Sequence, residues 1–107
     1  MIAKNNLVYK EDKEQRNKVF RMMMWDYNIA PEDVDAVFCG IKNKAGHYDE
    51  SALFKKMLES FSWYTILETV PFDKIKTLLT PELISKLRFK SLQNKYTYVF
   101  ERLQSNL

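Results

Sequence analysis

Between Ser51 and Pro71 the chain reads SALFKKMLESFSWYTILETVP, and the spacing of its large apolar residues leaves few folds open. Phe54, Met57, Leu58 and Phe61 recur at i, i+3, i+4 and i+7, one face of an α-helix. Lys55, Lys56 and Glu59 fall on the opposite side. Asp49 suits the N-cap of this helix, and Glu50 puts a negative charge where the helix dipole favours one. After Phe61 the apolar register moves to Trp63, Ile66, Leu67 and Val70. One straight helix would carry its apolar stripe round to a second side. The spacing therefore predicts two helices bent near Ser60–Ser62, with Ser62 capping the second and Phe61 and Trp63 packed between them. Pro71 ends the second helix, because the residue before a proline is driven out of the α region.

The flanking sequence repeats the pattern in shorter pieces. A charged run from Glu11 leads into Val19-Phe20-Arg21-Met22-Met23-Met24-Trp25, a helix apolar on nearly every side. Such a helix is either central to a fold or in need of a partner. Pro31-Glu32-Asp33 opens the next helix, with Val34, Val37, Phe38 and Ile41 inward and Gly40 as its stop. Lys42–Tyr48 reads as a loop turning at Gly46. Phe72, Ile75, Leu78 and Leu79 share one face of a helix after Pro71. Thr80-Pro81-Glu82 reads as cap, first-turn proline and first-turn acid, and Leu83, Ile84 and Leu87 point inward. Arg88-Phe89-Lys90 connects to a last helix capped by Ser91, along which Leu92, Tyr96, Val99, Phe100, Leu103 and Leu107 keep helical spacing. Residues 96–100 also have strand propensity, but the helical period runs further than the alternation does. The expected fold is all-α, a compact single-domain bundle of six or seven mostly short helices over residues 11–107. Residues 1–10 form a flexible N-terminal arm.

Composition narrows the class. A chain of 107 residues with seven Phe, six Tyr and two Trp has material for one core and is not a disordered chain. No apolar run approaches the roughly 20 residues that span a bilayer. The first residues lack the apolar region of a secretory signal, and a single Cys cannot form an internal disulfide. The expectation is a cytoplasmic protein with no membrane association.

Catalytic chemistry has little to draw on. Cys39 and His47 are the only residues of their types, so a Cys–His nucleophile would need this one pair. Cys39 lies among Val37, Phe38 and Ile41, the setting of a buried, inert thiol. His47 sits in the polar loop without further ligands at metal-binding spacing. Asp33 and Asp35 are two residues apart, do not share a helix face, and read as dipole complement and solvated surface. No glycine-rich phosphate loop is present. The reading is non-catalytic, with no cofactor, no metal and no small-molecule substrate.

Two binding readings remain. Met22, Met23, Trp25, Trp63 and Tyr64 supply more large apolar surface than short helices need, and Met and aromatics are enriched at interface cores. They point to a protein partner or a homodimer. Alternatively, residues 85–107 hold five basic residues against one acid. Helices over Phe72–Leu79, Pro81–Leu87 and Ser91–Leu103 would then form a helix-turn-helix variant reading DNA with Lys86, Arg88, Lys90, Gln93 and Lys95, a small transcriptional regulator.

Met24-Trp25-Asp26-Tyr27, Pro31-Glu32-Asp33, Leu58-Glu59 and Ser62-Trp63-Tyr64 together resemble a group of small helical bacterial proteins, found especially in the Bacteroidetes. Some of that group are encoded beside nucleotidyltransferase-type toxins. The resemblance spans Phe20 to Leu103 and implies an antitoxin-like or accessory role. It carries no catalytic residue. Its mapped element is Trp25-Asp26-Tyr27, and Asp26, at a helix end where the dipole disfavours an acid, requires a partner: an indole N–H or a later helix N-terminus within the domain, or a basic group on another protein.

Overall fold

The computed structural model describes residues 13–24 and 28–105. The arm expected over residues 1–10 and the Trp25-Asp26-Tyr27 element lie outside them. The described chain is all-α, with seven helices: α1 (Lys13–Met23), α2 (Pro31–Phe38), α3 (Glu50–Ser60), α4 (Trp63–Thr69), α5 (Phe72–Leu78), α6 (Pro81–Ser85) and α7 (Lys90–Ser105). A hairpin of two-residue strands, β1 (Lys44–Ala45) and β2 (Tyr48–Asp49), joins α2 to α3.

The bend between α3 and α4 falls where the apolar register shifts. The Asp49 carboxylate accepts the Ala52 N–H at 2.8 Å and starts α3. Ser62 accepts the Thr65 N–H at 3.3 Å and starts α4. α3 buries Leu53, Phe54, Met57 and Leu58 and packs against α1, α2, α4, α5 and α6, which makes it the centre of the fold. Each such side chain, removed from water, contributes roughly 1.5–3 kcal/mol. α1 inserts Phe20 and Met23, Met24 follows them into the core, and the Phe20 ring stacks on Phe38 of α2 with centroids 5.8 Å apart. The helix that looked apolar all round thus spends most of its large side chains on its own core.

Several local expectations are corrected. Helix α2 stops at Phe38, because Gly40 takes φ 81° and Ile41 N–H closes back on Ala36 O at 2.8 Å, a Schellman turn. Cys39 becomes the C-cap and is exposed, and Ile41 leaves the helix and is exposed too. Asp35 is not solvated. It is buried against Arg16 of α1, whose Nε lies 2.8 Å from Oδ1. The stretch read as a loop over Lys42–Tyr48 is largely the hairpin, with Lys44 opposite Asp49 and Ala45 opposite Tyr48. Gly46 and His47 make its turn, and Gly46 has φ 62°. Phe72 opens α5 but faces solvent. Helix α7 begins at Lys90, so Ser91 lies in its first turn rather than at its cap. Residues 96–100 are helical.

Candidate interaction surface

α4 has seven residues and two unlike faces. Ile66 and Thr69 are buried, and Val70 follows them into the core. On the outer side Tyr64 is 80% exposed and Leu67 is 42% exposed. At i and i+3 these two side chains are neighbours on one helix surface. Trp63 forms the edge of this face. It is half-buried, and its indole meets the Tyr96 ring of α7 at 6.0 Å with the planes at 63°. Phe72, half-exposed just beyond Pro71, carries the Lys76 ammonium 5.9 Å above its ring.

Of the residues the sequence singled out for a protein partner, the structure separates surface from core. Met22 is 65% exposed, whereas Met23 is 6% exposed and belongs to the core, so it offers a partner nothing. Tyr64 is on the surface and Trp63 is at its rim. The apolar register groups Leu67 inward with Trp63, Ile66 and Val70. It faces out because α4 turns its Ile66–Thr69 side to the core. The signal was present in the spacing, since Leu67 lies between Trp63 and Tyr64 on the helical wheel.

The basic residues also divide. Lys86, Arg88, Lys90 and Lys95 are all exposed across the α6–α7 connection. Gln93 is not available to read a base. Its Nε2 donates to Leu87 O at 2.9 Å and to Ser85 O at 3.4 Å, tying α7 to the end of α6. The Arg88 N–H donates to Glu59 Oε2 at 2.8 Å, which fixes the connection against α3. The Arg88 guanidinium stands 5.9 Å from the Phe89 ring centre, and Lys95 Nζ stands 5.2 Å from that of Tyr96.

His47 packs beside Tyr48 at the hairpin turn, with ring centroids 5.7 Å apart. Among the described residues no group of three His, Cys, Asp or Glu side chains could hold a metal ion. No helix among them is long and apolar enough to cross a membrane. A groove of about 360 Å³ between the start of α3 and α6 is lined by Ser51, Lys55, Glu82 and Lys86 among others. Its acids and lysines balance, Lys55 pairs with Glu59 at 3.1 Å, and Asp49 is committed to its cap. No family model, curated protein or solved structure matches the chain.

Proposed function

We propose that the protein is a non-catalytic protein-interaction module of the cytoplasm whose contact face is the outer side of α4. One observation carries this reading: Tyr64 and Leu67, two large side chains one turn apart, stand in solvent next to the half-buried Trp63. Single exposed apolar residues are ordinary on a protein surface, but an aromatic and a leucine side by side with a tryptophan at the rim have the composition of an interface core. The resemblance to companions of nucleotidyltransferase-type toxins supplies the kind of partner, an enzyme that this module would neutralise by occupying its surface.

The test is co-expression with the product of the neighbouring gene, followed by co-purification. A Tyr64→Ser, Leu67→Ser double variant with an unchanged circular dichroism spectrum is expected to lose at least about tenfold in affinity, the order seen when interface anchors are truncated. A complex of undiminished affinity removes α4 as the contact face.

A second reading is supported by Lys86, Arg88, Lys90 and Lys95, exposed together over the short α6–α7 connection. In that reading the start of α7 meets duplex DNA, with these cations on phosphates and no role for Gln93. Mobility shift of random duplex separates the two, because phosphate-driven binding weakens steeply between low and moderate salt. An interaction module shifts no duplex at either.

A further inference from the structure

Among the helices of the described residues α7 is the longest and the least deeply seated. It has sixteen residues. Among those whose side chains are described, only Tyr96 is buried, while Leu92, Val99, Phe100 and Leu103 are half-buried against the core. The eleven-residue α3 buries four. α7 packs chiefly on the five-residue α6. Its one deep anchor is also compromised. The Tyr96 ring is 0% exposed and gains from its edge-on contact with Trp63. Its hydroxyl, however, has no hydrogen-bond partner among the described residues. A buried hydroxyl without one opposes its own burial, and opening of α7 returns it to water. The four side chains that α3 buries carry no such penalty.

We propose that α7 is a detachable cover on the contact face: Tyr96 holds the Trp63 indole edge-on, and release of α7 as a unit adds that indole to the Tyr64–Leu67 surface. What release accomplishes rests on the reading of α4 as the contact face; the release itself does not. Elements held by few deeply buried apolar contacts open below the global unfolding free energy, and α7 meets that condition.

The experiment is native-state hydrogen exchange on the full chain, wild type and Tyr96→Phe, with hydroxyl-radical labelling of Trp63 in parallel. In the wild type the α7 amides exchange together and faster than those of α3. Tyr96→Phe keeps the ring and removes the unpaired hydroxyl, so it slows α7 exchange by roughly tenfold, slows α3 by no more than the same factor because global unfolding also exposes Tyr96, and lowers Trp63 labelling. Exchange of α7 at the rate of α3, or no slowing of α7 by Tyr96→Phe, overturns the detachment. Slower α7 exchange with unchanged Trp63 labelling overturns the covering role. Both readouts are independent of a partner, so their failure leaves the α4 contact face to its own co-purification test, and failure there leaves α7 a detachable helix.

Discussion

The Arg16 guanidinium grips the Asp35 carboxylate at both oxygens, Nε to Oδ1 at 2.8 Å and Nη2 to Oδ2 at 3.3 Å, with both side chains buried. This pair ties α1 to α2, as the Phe20–Phe38 stack does. Desolvation of two charges offsets much of their attraction, so the pair itself adds little net stability. Removing one partner is another matter, because the other charge stays buried and loses this two-point contact. Asp35→Ala and Arg16→Met are each expected to destabilise by about 3–5 kcal/mol. The double variant is expected to lose much less than their sum. Urea denaturation of the four chains measures this coupling, and additive losses would show that the two groups act separately.

Two glycines give a graded prediction. Gly40 has φ 81° with open space where a Cβ would stand, and Gly46 has φ 62° with Ile29 Cδ1 only 2.7 Å from that position. Each substitution by alanine forces a left-handed backbone on an L residue, at about 1–2 kcal/mol. Gly46→Ala must also displace the Ile29 side chain that packs against the core. Thermal unfolding is expected to rank Gly46→Ala below Gly40→Ala, and both below wild type. The reverse order would mean that Ile29 moves freely and the helix stop at Gly40 matters more.

The caps were readable from the chain because their contacts are local. Asp49, Ser62 and Thr80 each reach a backbone N–H three residues on, so residue type and position suffice. The Arg16–Asp35 pair spans nineteen residues, and nothing in either neighbourhood marks the other as its partner. Strands of two residues are shorter than any period that could reveal them, so the hairpin read as a loop. Extending the helical period past Phe38 puts Cys39 and Ile41 inward, but the helix ends there and Gly40 turns the chain. On the outer side of α4, Trp63 and Tyr64 stand out by composition alone. Met22 and Met23 do not differ in composition, and only the rotation of α1 against α3 sends one outward and the other into the core.

Ser62 links the bend to the surface it creates. Its hydroxyl takes the Thr65 N–H and sets the rotation with which α4 leaves α3. Ser62→Ala is expected to cost about 1 kcal/mol, the usual loss for an N-cap. Because the cap sits beside Trp63 and Tyr64, the loss should also appear as faster amide exchange in the first turn of α4. Ser62→Asp, which restores an acceptor at the same position, is expected to recover most of it.

The phenol of Tyr96 makes stability depend on alkali. Burial pushes its pKa above the ordinary tyrosine value, because the charged phenolate loses more by leaving water than the neutral form does. The folded protein therefore holds this proton more tightly than the unfolded chain. The sign follows from that difference. The contribution is fully present below the unfolded value of about 10 and is lost as pH rises toward and through the raised folded value. Lys95 Nζ lies 5.2 Å from the same ring centre. Comparison with Tyr96→Phe isolates the phenol, since that chain keeps Lys95 and the ring. Wild type is expected to start less stable than Tyr96→Phe at neutral pH and to fall further behind above about pH 10. Parallel stability curves across that range would mean that the phenol titrates alike in the folded and unfolded chains, which its burial beside Trp63 does not allow.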